Sequence, residues 1–148
     1  MAAIHDDAVT TFGDLRMGRD NIKFVSLKID ADNGGDIVVD TVGTKDDFPT
    51  HEDLVAALPS DEPRWVAFNF SYETTGGARS KTCLINWVPA DASRVGKMQA
   101  ALWMNNIKQA LDGIQCIVQA GDVSECDYEA VLDRASRFER EEILARAT

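Results

Sequence analysis

Apolar positions along this chain repeat in two rhythms, and the rhythm changes several times between the ends. Ala8, Phe12 and Leu15 fall on one face of a helix predicted over His5–Leu15, with Asp6 and Asp7 suiting its positive start and Met17-Gly18 ending it. Phe24–Ile29 then alternates. Val25, Leu27 and Ile29 lie on one side and Ser26 and Lys28 on the other, which predicts a half-buried strand. ADNGGD is a hairpin turn, and Ile37–Val42 returns as the second strand. Thr50-x-x-Asp53 has capping chemistry ahead of Leu54, Val55 and Leu58, a short helix stopped by Pro59. Trp65–Tyr72 alternates again, with Val66, Phe68, Phe70 and Tyr72 on one face; TTGG turns the chain into a fourth strand, Lys81–Trp87.

No breaker interrupts the stretch that begins at Lys97 and ends at Gly113, where Ala100, Trp103, Ile107, Ala110 and Leu111 recur at helical spacing and Gly113 stands at the expected C′ position. Arg94, Lys97, Ala101, Met104 and Lys108 make a second, basic-and-apolar stripe on the same helix. Ile114–Val118 is a short strand. Ser124-x-x-Asp127 reads as the cap of a last helix carrying Tyr128, Val131, Leu132 and Ala135. Glu142 and Arg146 have the spacing of a helical ion pair, so residues 138–148 are expected to extend that helix. Strands joined by hairpins and by helical crossovers predict an α+β fold, one layered domain over residues 1–148, with no repeats or linkers.

Composition narrows the function classes. A chain of 148 residues, 45% of them hydrophobic, buries well over half of its unfolded surface in one core. No apolar run approaches the roughly 20 residues of a membrane span, and MAAIHDDAV lacks the layout of a signal peptide, so a cytoplasmic protein is expected. Three cysteines, two of them (Cys83 and Cys116) inside apolar runs, read as buried free thiols without metal spacing. The only histidines, His5 and His51, stand near two helix starts with no nucleophile placed beside them, and no phosphate-loop, dinucleotide, nucleophile-elbow or zinc-protease motif occurs. An enzyme and a cofactor are therefore not expected. The net charge of −10 argues against nucleic acid or an anionic membrane as a general partner.

The pieces have a recognisable order. KMQAALWMNNIKQALDG follows NWVPADASR and precedes IQCIVQAGDVSECDYEAVLDRASR; DDAVTTFGDLRMG, PRWVAFNFSYE and GGARSKTCLINWVP come earlier. Together these segments, from His5 to about Arg137, resemble the ADF/cofilin family of actin-binding proteins. The resemblance implies the actin-depolymerising-factor homology fold, gelsolin-like, with a mixed central sheet flanked by helices on both faces. It also implies actin, monomeric and filamentous, as partner, and disassembly of filaments by severing or accelerated subunit loss, with ADP-loaded monomers bound; a monomeric protein is expected.

Residue by residue, the resemblance places Lys97 and Met98 at the start of the long helix in a contact with actin monomers, extended by Arg94, Met104 and Lys108. Arg94 is displaced by one residue from the usual basic position, a rotation of about 100° on a helix, and Lys108 is the survivor of a basic pair. Arg79 and Lys81, with Asp133, Arg134 and Arg137, match the family's filament-side contact. No serine precedes Ser26, so the regulatory phosphorylation of relatives has no counterpart. Net charge and the reduced basic pair leave room for a mainly monomer-sequestering protein, and the fold alone would also suit an interaction module for a target other than actin.

Overall fold

The computed structural model describes residues 2–137 and 143–146. Its centre is a mixed sheet in the order β2-β1-β3-β4-β5, built from β1 (Ile22–Asp30), β2 (Asp36–Thr44), β3 (Arg64–Thr74), β4 (Gly77–Trp87) and β5 (Cys116–Ala120). β4 and β5 run parallel, joined by a long helical crossover, and the other neighbours are antiparallel. α1 (Asp6–Arg16) and α3 (Arg94–Ala110) cover one face, packing Phe12, Leu15, Ala100, Ile107 and Leu111 on Val25, Trp65, Ala67 and Leu84. α2 (His51–Ala56) and α4 (Tyr128–Ala135) cover the other, packing Leu54, Val55, Tyr128 and Val131 on Val66, Phe68, Phe70, Ile85 and Val118. The fold is the α+β domain with helices on both faces.

Burial on both faces changes the reading of β1. Ser26, placed by alternation on the polar side, is buried, as is Phe24, whose ring meets Phe48 edge-on at 4.8 Å under the α2 face. A strand flanked by neighbours and sandwiched between helix layers has no solvent face. Gly43 of β2 sits opposite Phe24 because a Cβ there would fall 2.2 Å from the ring. Gly43→Ala is therefore expected to cost about 1–3 kcal/mol, as other overpacking changes do. A urea melt with an unchanged midpoint would show that the ring moves aside freely.

Local signals hold in part. Thr50 and Asp53 form the full capping box. The last helix, however, is capped by Asp127, whose carboxylate accepts from Ala130 N, while Ser124 lies in a short 3-10 turn capped by Asp122. Gly113 is not C′: Leu111 is the C-cap, and Gly113 follows two residues later at φ +107°, a backbone state suited to glycine, with the Arg16 side chain packed where a Cβ would stand.

The predicted helical extension over 138–148 is corrected for the residues described. Ile143–Arg146 form strand β6, antiparallel to β3 at Tyr72–Thr74; residues 138–142 and 147–148 lie outside the described residues. β1 pairs with β3 only from Trp65 to Phe68, so the outer half of β3 exposes backbone groups that β6 satisfies. One helical ion pair, worth a few tenths of a kcal/mol, does not compete with a ready-made edge.

Candidate functional site

α3 begins three residues earlier than its apolar pattern suggests. Ser93 caps it by accepting from Gly96 N at 2.9 Å, and Arg94 is its first residue. Its inner side is accounted for by Ala100, Ile107 and Leu111 in the core. Its outer side is unusual. Val95 and Met98 are each 57% exposed and Leu102 is 72% exposed, at the three-and-four spacing that makes one apolar stripe. Arg94, Lys97 and Lys108 are exposed beside them. The one-residue displacement of Arg94 thus does not remove it from this face: at about 100° per residue it lies within a sixth of a turn of Met98. Met104 differs from the rest, being half-buried and packed against the core on the α1–α3 side.

Two physical costs mark this face. Large apolar side chains stand in water, where burial of each is worth about 1.5–3 kcal/mol. Arg94 and Lys97 occupy the helix's first turns, which contain no acid and where the macrodipole repels cations by about 0.3–1 kcal/mol each. Folding alone explains neither choice. A partner with an apolar groove and an acidic rim would use both.

The second set of residues comes together on the opposite side of the sheet. Arg79 and Lys81 of β4 pair with Tyr72 and Phe70 and share the α4 face with them. Lys81 Nζ donates to Ala135 O at 2.6 Å, so its ammonium sits on the negative end of α4. Arg134 and Arg137 stand beside it, and with Ile114, Gln115, Cys116 and Ile117 they line an open cavity of about 450 Å³. Asp133 pairs with Arg137 one helical turn on, at 3.6 Å. Arg79 lies apart from the cavity lining, its guanidinium donating to the Gly76 carbonyl of the β3–β4 turn and to the Ala78 carbonyl at the start of β4.

The histidines are tied down elsewhere. His51 is buried, with Nε2 hydrogen-bonded to Cys126 O at 2.9 Å, and His5 pairs with Asp36 at 2.9 Å. The Asp36 carboxyl is held below its ordinary range, first by the Ala3 amide and then by His5. Among the described residues no helix is long and apolar enough to cross a membrane.

A model of the cofilin/tropomyosin-type actin-binding proteins matches residues 1–136, which include α3 and most of the cation-lined cavity. The chain belongs to this family. Actophorin of Acanthamoeba castellanii is 35% identical over 135 residues, covering 91% of this chain and 95% of its own length. The cofilin of Yarrowia lipolytica (strain CLIB 122 / E 150) is 35% identical over 137 residues, covering 91% and 86%. Among solved structures, the cofilin of Streptomyces griseoflavus superposes with a TM-score of 0.83 at 31% identity, over 93% of this chain and 98% of its own. The family match ends before β6, so the strand added to β3 lies outside it.

Proposed function

We propose that this cofilin-family protein acts as a monomer in the cytoplasmic actin cytoskeleton, binding actin monomers and filament sides and promoting filament disassembly, by binding and not by catalysis. Monomers are engaged by the outer side of α3, through Val95, Met98 and Leu102 with Arg94, Lys97 and Lys108 at the rim. Filament sides are engaged by Arg79, Lys81, Asp133, Arg134 and Arg137. The observation that carries this reading is the exposed apolar stripe on α3, flanked by cations that the helix start disfavours. The anchor geometry is that of a helix laid in a groove, with unbranched Met98 adapting to its wall. Two contacts on opposite faces of one sheet let a single domain touch two subunits, which is how binding energy is turned into strain between them.

Cosedimentation with filamentous actin, alongside titration of labelled monomeric actin, tests it. Binding to both forms, with faster loss of filament mass, is expected; pelleting without monomer binding would detach α3 from the function.

The charge balance gives a kinetic expectation. A net −10 opposes approach to acidic actin at long range, whereas the few cations attract at contact. Salt screens first what acts beyond the Debye length of about 10 Å at 0.1 M. The association rate with monomeric actin should stay flat or rise from low to moderate salt in stopped-flow mixing. A steep fall would mean that the local cations dominate the encounter.

A further inference from the structure

Cys116 occupies a place that none of the functions above uses. It begins β5, is 7% exposed, and lines the cavity whose cations are Lys81 from β4 and Arg134 and Arg137 from the end of α4. Its register partner on β4 is Cys83, fully buried behind it. We propose that Cys116 is a modification site, a thiol placed by this cation-lined cavity to form mixed disulfides with small anionic thiols of the glutathione class.

Three observations support the chemistry. The first is selectivity among the thiols. A hydrogen bond with Cys83, and then the charges of Arg134, Lys81 and Arg137, lower the Cys116 thiol below its ordinary value, against a burial that raises it. Cys83 is pushed up by the same hydrogen bond and by burial; burial and then Asp127, Asp122 and Glu125 push Cys126 up to about 12. The thiolate is the nucleophile, so Cys116, lowered where Cys83 and Cys126 are raised, is the favoured one of the three.

The second is the direction of attack. Cys83 and Cys116 face each other across parallel strands, which run about 4.8 Å apart. Cys83 is fully buried and Cys116 stands on the cavity wall, so of this pair it is Cys116 that a disulfide in solution can reach. The reacting sulfur must therefore come through the open cavity. The third is complementarity: about 450 Å³ with three cations on its wall suits a tripeptide-sized group bearing carboxylates.

In the reaction the Cys116 thiolate attacks one sulfur of glutathione disulfide. The bond between the two glutathione sulfurs breaks as the new one forms, and the departing thiolate takes a proton from water. The adduct would cover Lys81, Arg134 and Arg137, so, resting on the filament-side reading above, modification should weaken filament binding and spare monomer binding.

The test is incubation of the full chain with glutathione disulfide, followed by intact mass and peptide mapping. One glutathionyl group at Cys116 is expected, with a rate that reaches half its maximum at a pH below that of an ordinary thiol. Inorganic sulfate should slow it, and an uncharged disulfide should react more slowly than the anionic one. Arg134→Gln should slow it several-fold and move the midpoint upward, and Cys116→Ser should take up no group. An adduct on Cys126, a Cys83–Cys116 disulfide, or a rate and pH profile indifferent to Arg134→Gln would overturn the proposal. A stoichiometric Cys116 adduct that pellets with filaments as well as the unmodified protein would leave the modification site standing and sink the filament-side assignment instead.

Discussion

Met98→Ala with Leu102→Ala is expected to weaken binding to monomeric actin by about 100- to 1,000-fold while leaving the unfolding midpoint nearly unchanged. Each side chain is more than half exposed in the free protein, so truncation opens no cavity and surface changes of this kind cost about 0.5 kcal/mol or less. In a complex the same side chains become central apolar anchors, where truncation costs about 2 kcal/mol apiece. At 1.4 kcal/mol per tenfold, two anchors give the stated range, less whatever they share. The helix dipole supplies a second arm. Arg94→Gln with Lys97→Gln should also weaken binding, yet raise helix stability, because both cations stand in the turns where positive charge is repelled. Titration of labelled monomer beside thermal melts separates the cases. Equal losses of binding and stability in Met98→Ala would return that residue to the core, and unchanged binding would take α3 out of the site.

Much of this is legible in the sequence, and the exceptions share a cause. Alternation in Trp65–Tyr72 and the capping pair Thr50/Asp53 are local signals, and both appear as expected because no distant partner competes with them. Alternation misplaces Ser26 because its burial depends on the α2 layer, not on β1's own pattern. Ile143–Arg146 pair with Tyr72–Thr74, about seventy residues away, and nothing in the four letters ILAR announces an available edge. Ser124 and Asp127 both have cap chemistry, and the choice between them is made by the 3-10 turn that Asp122 caps.

The site follows the same division. Lys97, Met98 and Arg94 are found on the outer side of α3 as their helical spacing requires. Leu102 and Val95 are absent from the sequence-based site, although with Met98 they repeat the very spacing of the core face. A helix carrying two apolar stripes needs two partners, and among the described residues only the inner stripe is covered. Met104 belongs by spacing to the stripe of Arg94, Lys97, Ala101 and Lys108 but packs inward, since of that stripe it lies nearest to Ile107 and Ala100 around the helix. The meeting of Lys81 with Arg134 and Arg137 depends on the β4–α4 packing, which no local pattern encodes.

Arg134→Glu with Arg137→Glu is expected to reduce filament binding by about 100-fold or more and to leave monomer binding within about twofold. The pair is a cleaner choice than Arg79→Ala with Lys81→Ala, which should act in the same direction. Lys81 holds the end of α4 through Ala135 O, so its loss mixes a packing defect with a charge effect. Arg134 and Arg137 are exposed, and Arg137 is engaged only at the surface by Asp133 among the bonds described. Reversing them places carboxylates near the negative end of α4, the second of them one turn from Asp133, at a cost of about 0.3–1 kcal/mol each. That is small beside the 5–15 kcal/mol stability of an ordinary domain, so the fold should persist. Binding feels the change more strongly. An acidic partner surface that met two cations meets two anions, and like charges brought together at an interface cost several kcal/mol. The long-range term moves too, from −10 to −14, since each exchange shifts the charge by two. That term acts on both forms of actin and is removed by moderate salt, whereas the contact term is not. Cosedimentation and monomer titration should therefore be compared at moderate salt. If the two activities fall together there, the faces of this sheet do not divide the labour, and the α4 cations serve the same contact as α3.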